Sequence, residues 1–196
     1  LKGRFQWTTN FILNTYKEKV IRFNDPSTRF GADVVGTGFS ALQGYTPFAF
    51  FAYKWGGLDP ATGDPQGYLG KTLSKDYASI MSSGTTVSDL KYIGALLPTV
   101  FGSLGNTFSY KGISVTARIV YKLGYYFRRP SINYYALASQ SIGHSDYAKR
   151  WQKPGDEKYT GVPSFVYPLN SLRDEFYQNS EVLATRGDQV RLQYIN

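Results

Sequence analysis

Few residues of this chain have the type and spacing that covalent chemistry requires. The sequence contains one histidine, His144, and no cysteine, so a disulfide framework and a thiolate nucleophile or metal ligand are excluded here. Hydrolysis needs an acid and a base held together. The adjacent acids Asp156-Glu157 and Asp174-Glu175 lie in turn-like or helical contexts, where solvated loop charges are expected. The sequence therefore predicts no enzyme.

Two acids in a turn-rich stretch raise the question of a calcium ion. Asp59 and Asp64 flank the sequence Pro60-Ala61-Thr62-Gly63, and calcium takes carboxylate and carbonyl oxygens as ligands. Their spacing does not match the EF-hand pattern, so a metal-free turn is the favoured interpretation and no cofactor is predicted. The tripeptide Arg186-Gly187-Asp188 resembles an integrin-binding motif, but matches of three residues are common and adhesion through it is not predicted.

The composition suits β structure that contacts both lipid and water. The 196 residues have a net charge of +8, and 17% of them are aromatic, with 17 Tyr against one Met. The cations are scattered, with Arg128-Arg129 and Lys149-Arg150 the only adjacent pairs, which disfavours nucleic-acid binding. No run of about 18 apolar residues exists, so no transmembrane helix is predicted.

The element that must organise these residues is a β-hairpin within residues 101–127. Lys111-Gly112 separates two runs that alternate with period two, which predicts a two-residue turn with Gly at positive φ. One face, from Tyr110–Ile113 to Leu104–Ile119, is almost wholly apolar. The other, from Ser109–Ser114 to Ser103–Val120, is mostly hydroxyls, Gly and a cation. Such a sheet is either soluble with its apolar face on a core or part of a transmembrane barrel.

Strand length and chain order favour the barrel. A tilted strand of about 9–11 residues crosses a bilayer, and tyrosines near both ends of the hairpin resemble interfacial girdles. The alternation predicts an all-β chain with four membrane-spanning antiparallel strands, at about 4–16, 101–110, 113–127 and 188–196. The long connections 17–98 and 128–186 should be extracellular loops, and Lys111-Gly112 should face the periplasm. The two connections should hold a short strand or hairpin within 44–57 and a short helix within 169–180.

Four strands cannot close a barrel, since even small ones need about eight. The chain begins without Met and ends within an alternating run. We therefore expect a fragment of one larger barrel domain.

Four blocks of sequence, in order, resemble a known family. They are YKWGGLDPATGDPQGY (53–68), FGSLGNTFSYKGISV (101–115), RWQKPGDEKYTGVPSF (150–165) and SEVLATRGDQVRLQYIN (180–196). Together they resemble the C-terminal part of the barrel of SusC/RagA-type TonB-dependent outer-membrane transporters.

The resemblance implies import of large nutrients, usually oligosaccharides and in some members peptides, across the outer membrane of Bacteroidetes-type bacteria. It also implies a SusD-like surface lipoprotein above the extracellular loops. Energy would come from the TonB complex through a plug and a TonB box that lie outside this chain. The alternative is a non-transporting surface adhesin or glycan-binding β module.

Six residues are candidates for substrate contact. Tyr45, Tyr53, Trp55 and Trp151 lie in predicted extracellular segments, where aromatic faces could stack on sugar rings. Packing between loops, or contact with the lipoprotein, is the favoured alternative for these four. On the predicted lumen face, Arg118 and Lys122 could touch a passing substrate, or equally the plug or water.

Overall fold

The computed structural model describes residues 4–23, 31–36 and 42–196, and this part of the chain is mostly antiparallel β. The strands are β1 (Gln6–Thr15), β2 (Ala49–Tyr53), β3 (Gly57–Leu58), β4 (Pro65–Leu69), β5 (Thr72–Ser74), β6 (Leu90–Ala95), β7 (Val100–Tyr110), β8 (Ile113–Leu123), β9 (Tyr126–Arg128), β10 (Ala184–Arg186) and β11 (Gln189–Ile195). The helices are α1 (Gly31–Gly36), α2 (Tyr77–Ile80), α3 (Tyr134–Gln140) and α4 (Ser171–Gln178). Short 3-10 helices lie at Val87–Asp89, Ser145–Lys149, Asp156–Lys158 and Glu181–Leu183. Among the described residues, no helix is both long and apolar enough to cross a membrane.

The main sheet has four antiparallel strands in the order β1-β7-β8-β11. β7 and β8 form the predicted hairpin, and every predicted pair from Tyr110↔Ile113 to Ser103↔Val120 is confirmed. At the turn φ is +48° at Lys111 and +87° at Gly112, the sign that a two-residue type I′ turn requires at both positions. Gly112 adopts this conformation without steric cost, whereas Lys111 carries a Cβ that the left-handed region disfavours.

The third predicted strand, 113–127, is interrupted by one irregularity. β8 pairs with β11, with Lys122 opposite Gln189, while β9 pairs with β10, with Tyr126 opposite Arg186. The register therefore shifts by one residue between the two ladders. At the shift, the Gly124 N–H donates to Asp188 Oδ1 at 2.6 Å. The β8–β11 ladder thus continues beyond the sheet as β9–β10.

The two long connections fold against each other rather than forming separate loops. The first contains the sheets β2-β6 and β3-β4-β5, and the second contains α3 and α4. β2 is the predicted short strand within 44–57, and α4 is the predicted helix within 169–180. Phe176 of α4 is fully buried, and its ring packs against Tyr53 and Tyr77 of the first connection.

The prediction of mainly antiparallel β structure is confirmed, but "all-β" is too strict, because α1–α4 lie in the two connections. The four long strands form an open sheet. Among the described residues, no strand pairs with the outer edge of β1 or of β11. Exposed edges of this kind present unpaired backbone groups that a folded protein normally covers. The sheet described here is therefore open, and a closed barrel stays a prediction.

Candidate functional site

The main sheet has one face of exposed apolar side chains. Several of them, including Trp7, Phe11 and Val190, are more than 60% exposed, although aromatic and aliphatic side chains are usually buried in proteins. Further members of this face are Leu13, Phe108, Tyr110, Ile113, Val115, Ile119, Leu192 and Ile195. A contiguous apolar surface of this kind is uncommon on a soluble monomer. The face therefore requires an apolar environment, either lipid or another layer of protein.

Polar groups on the apolar face are bonded within the sheet. Asn106 Oδ1 accepts hydrogen bonds from Trp7 Nε1 at 2.9 Å and from Thr9 Oγ1 at 2.7 Å. The Tyr121 hydroxyl donates to the Ile12 carbonyl at 2.8 Å. Where no water is present, an unpaired polar group costs free energy, so such internal pairing is required.

The opposite face is rich in hydroxyls and cations. The hydroxyls of Thr107 and Thr116, which face each other across the hairpin, form a hydrogen bond with 2.9 Å between their oxygens. Further from the turn, the predicted residues Arg118 and Lys122 stand on this face of β8, on either side of Val120. The Arg118 guanidinium lies 5.6 Å from the centre of the Tyr194 ring. The structure thus places these two candidates on one face and on one strand.

Three of the four aromatic candidates are occupied by packing within the connections. Tyr53 is 4% exposed and Trp151 is 8% exposed. Trp55 is stacked on Phe176, with ring centres 6.3 Å apart and planes 14° apart. The Trp151 ring lies against the backbone of Gly63, where an added Cβ would stand 2.4 Å from it. These positions match the alternative of loop-to-loop packing.

The fourth aromatic candidate, Tyr45, lines a cleft where the main sheet meets the connections. The cleft has a volume of about 840 Å³, and its walls include Tyr16, Tyr45, Tyr92, Tyr126, Lys17, Glu18 and Lys19. The Tyr45 ring meets those of Phe51 and Tyr92 edge-on at 5.0 Å. Aromatic walls with a few charged groups can stack a planar group and orient its polar atoms.

The two acids considered as calcium ligands are paired with cations of the chain itself. Lys75 Nζ lies 2.7 Å from Asp59 Oδ2 and 3.4 Å from Asp64 Oδ2, and Arg173 Nε lies 2.8 Å from Asp64 Oδ1. The hydrogen bond from Lys75 lowers the pKa of Asp59. Burial raises the pKa of Asp64, but bonds from Thr62 and Arg173 outweigh it and the net shift is downward. The Lys75 ammonium therefore lies beside both carboxylates, in the position that a bound cation would take.

A buried acid, Asp146, lies outside the residues that the sequence singles out. Its Oδ2 accepts hydrogen bonds from Arg129 at 2.5 Å and from Ser131 at 2.7 Å, and Ser131 bonds to the Tyr177 hydroxyl at 2.7 Å. Burial raises the pKa of Asp146, but the bonds from Arg129 and Ser131 lower it further than burial raises it. His144 Nδ1 accepts from the Asp146 N–H at 3.1 Å, so the histidine caps the 3-10 helix Ser145–Lys149. No sequence signal could find this network, since Ser131 and Tyr177 are 46 positions apart.

Comparisons with known proteins find this fold in transporters. No protein-family model matches the chain, and no curated protein matches its sequence. The structure is similar to that of the RagAB peptide transporter, with a TM-score of 0.68 and 17% identity over 97% of this chain. It is also similar to the RagAB peptide importer in its "open-open" state (TM-score 0.61) and its "closed-closed" state (TM-score 0.62), each at 16% identity.

In each case this chain spans 20% of the length of the matched chain. At these identities the likeness concerns the fold. The fold described here is therefore similar to one part of the fold of these transporter chains.

Proposed function

We propose that this chain is part of the barrel wall of a SusC/RagA-type, TonB-dependent importer in a bacterial outer membrane. The main sheet is the observation that carries the proposal. Three of its strands have 10 or 11 residues, the length that crosses a bilayer on a tilt. One face is apolar and exposed, and the other is polar, as lipid-facing and lumen-facing positions alternate in such barrels. The likeness to the RagAB peptide transporter supports the same conclusion.

In this orientation the apolar face contacts lipid and the polar face lines the lumen. The two-residue turn at Lys111-Gly112 faces the periplasm, and the long connections 17–98 and 128–186 lie outside the cell. Outer-membrane barrels have short periplasmic turns and longer extracellular loops, which supports this assignment. The packing of the two connections on each other through Phe176 gives them a defined surface.

The proposed mechanism is binding and gated passage of a large nutrient, without covalent chemistry. A SusD-like lipoprotein covers the extracellular connections. The TonB complex acts through a plug and a TonB box that belong to the full-length importer and lie outside this chain. Of the two substrate classes, oligosaccharides and peptides, the RagAB likeness favours peptides. Tyr45 in the cleft and Arg118 and Lys122 on the polar face are the proposed contacts, whereas Tyr53, Trp55 and Trp151 shape the connections.

Fractionation and uptake by cells carrying the natural, full-length protein test this proposal. We expect the protein to stay in the outer-membrane pellet after alkaline carbonate extraction and to require detergent for release. Uptake of a fluorescent peptide mixture should stop when the TonB system is deleted. Release without detergent would contradict the proposal and favour the surface adhesin or glycan-binding module.

A matched pair of substitutions tests which face contacts lipid. Phe11 lies on the apolar face of β1 and Asn10 on the polar face at the same depth. An arginine facing lipid near the midplane costs about 2–4 kcal/mol, so Phe11→Arg should lower the amount of folded protein in the outer membrane and Asn10→Arg should not. Equal losses in both variants would contradict the assignment of the faces.

A further inference from the structure

We propose that the polar face of the main sheet binds carboxylate-bearing solutes through three cations: Arg118, Lys122 and Arg191. The inference rests on the proposed function, in which this face lines the lumen. It adds a charge preference to that function and a residue, Arg191, that the alternation of β11 places on the same face as the other two.

The charges of the main sheet have one sign and lie on one face. Strands β1, β7, β8 and β11 contain three charged side chains, and all three are cations. Arg191 lies directly opposite Val120, and Arg118 and Lys122 stand two positions to either side of Val120 on β8. Neighbouring strands are about 4.8 Å apart, and residues on one face of a strand recur about every 7 Å. The three cations therefore surround Val120 within a small area.

These cations lack the close carboxylate partners that four other cations of the chain have. Arg129, Arg173, Arg186 and Lys75 each lie within 2.8 Å of a carboxylate oxygen. Within the part of the chain that the structure describes, no acid forms an ion pair with Arg118, Lys122 or Arg191, and the buried Arg118 Nε has no hydrogen-bond partner. Like charges at this spacing repel each other. The face therefore carries a positive potential and unused hydrogen-bond donors.

The position of Arg118 suits a carboxylate in particular. Its side chain crosses Gly105, where an added Cβ would stand 3.5 Å from Nε, and its guanidinium faces the Tyr194 ring. A guanidinium held in this way presents a planar fork that matches the two oxygens of a carboxylate. Opposite Arg118 and Val120, β7 contributes the small residues Gly105 and Ser103, and Phe101 lies opposite Lys122. An acidic peptide and a sugar acid both supply the required group.

The local charge can be measured by thiol labelling in the natural, full-length protein in intact cells. Val120→Cys, as the single reactive cysteine, is treated with methanethiosulfonate reagents of similar size that carry a sulfonate or a trimethylammonium group. Clefts of one sign raise the local concentration of the opposite charge by about tenfold or more. Relative to a free thiol, we expect the sulfonate reagent to react about tenfold faster than the trimethylammonium reagent. This preference should vanish when R118Q, K122Q and R191Q are added.

A control with the same change in net charge separates local from global effects. The triple variant K71Q/K153Q/K158Q removes three cations from the long connections and should leave the reagent preference of the thiol introduced by Val120→Cys unchanged. If Val120→Cys does not reach the outer membrane, Gln189→Cys, which faces Lys122, replaces it.

Protection experiments identify the ligand class. With a neutral thiol reagent, tri-glutamate should slow labelling of the Val120→Cys variant and tri-glutamine should not, and tri-galacturonate should act where tri-galactose does not. Protection by the peptide pair, the sugar pair or both distinguishes the source of the carboxylate. Protection should be lost when the R118Q/K122Q/R191Q substitutions are added.

Two results would overturn the inference. One is equal labelling of the Val120→Cys thiol by both charged reagents, which would show that the patch has no effective positive potential. The other is a thiol at position 120 that neither reagent reaches while Thr107→Cys, on the same face, is labelled, because the cations would then be covered by another part of the protein. If Thr107→Cys is also unreactive, the face does not line an aqueous path, and the proposed function itself fails.

Discussion

Replacing Arg173 with methionine should weaken the contact between α4 and the two turns at Asp64 and Ser164, to which Arg173 is bonded. Arg173 is 3% exposed. Its Nε donates to Asp64 Oδ1 at 2.8 Å, and its Nη2 donates to the Ser164 carbonyl at 2.9 Å and to Ser164 Oγ at 3.0 Å. Removing one partner of a buried ion pair costs about 3–5 kcal/mol. Asp64 keeps some access to solvent and its bonds to Thr62 and Lys75, so we expect the lower end, about 3 kcal/mol.

Hydrogen exchange at the Ser164 amide measures this loss of stability at the contact itself. The Ser164 N–H donates to the Gly63 carbonyl at 3.0 Å, so its exchange reports opening of the contact between the two turns. A loss of about 3 kcal/mol corresponds to exchange about a hundredfold faster. The amides of the main sheet should be unaffected, because the bonds of Arg173 go to Asp64 and Ser164, which lie in the connections.

Two variants control for charge and for exposure. Lys75 pairs with the same Asp64, but its side chain is 39% exposed, and exposed pairs contribute about 0.2–1 kcal/mol. Lys75→Met should therefore accelerate exchange by no more than about fivefold. Arg173→Lys keeps the charge but loses the guanidinium fork, so its effect should be intermediate. The reasoning is refuted if Arg173→Met leaves the exchange rate of Ser164 within about threefold of the wild type.

Three further predictions concern pH, a glycine and the apolar face. Lowering the pH from 6 to 3 should speed exchange at Ser164, because the folded-state pKa values of Asp59 and Asp64, the two carboxylates beside this contact, are lowered. The stability that these carboxylates contribute is fully present above their ordinary pKa of about 3.9, and it is lost as the pH falls through their lower folded-state pKa values. An exchange rate at Ser164 that does not change, after correction for intrinsic exchange, would contradict this. Gly63→Ala should displace Trp151, because φ is +69° and the Cβ would stand 2.4 Å from the ring. Trp151 fluorescence in a W7F/W55F background should shift, and it should not shift in Gly57→Ala, where φ is +95° and no atom lies within 4 Å. Asn106→Leu and W7F/T9V each leave polar groups of the Asn106 pairing without a partner, so each should lower the free energy of unfolding in detergent micelles by about 1–3 kcal/mol. The triple variant W7F/T9V/N106L removes both sides of the pairing and should cost less than either variant, with a loss below about 1 kcal/mol.

The hairpin could be predicted from the sequence because its signals are local. Alternation with period two fixes which residues share a face, and the Lys111-Gly112 turn fixes the register, so all eight predicted pairs agree with the structure. The irregularity after Leu123 could not be predicted in the same way. The bond that bridges it comes from Asp188, 64 positions after Gly124, and no local pattern connects the two.

The roles of the aromatic and acidic candidates depended on distant partners. Tyr53 and Trp55 are packed on Phe176, more than 100 positions later in the chain, and Trp151 lies on Gly63. Residue type alone cannot distinguish such packing from a binding surface. Asp59 and Asp64 were considered as calcium ligands, although a metal-free turn was the favoured interpretation. The cation beside them, the side chain of Lys75, lies 16 and 11 positions further along.

That ammonium group is a counter-ion attached to the chain by covalent bonds. A free ion leaves its carboxylates when its concentration falls or when a chelator removes it. Lys75 is held beside Asp59 and Asp64 by a short segment of backbone, so its effective concentration there does not depend on the medium. The shape of this turn should therefore be the same in EDTA and in millimolar divalent salt. A surface built on it keeps its form when the mineral content of the surroundings changes.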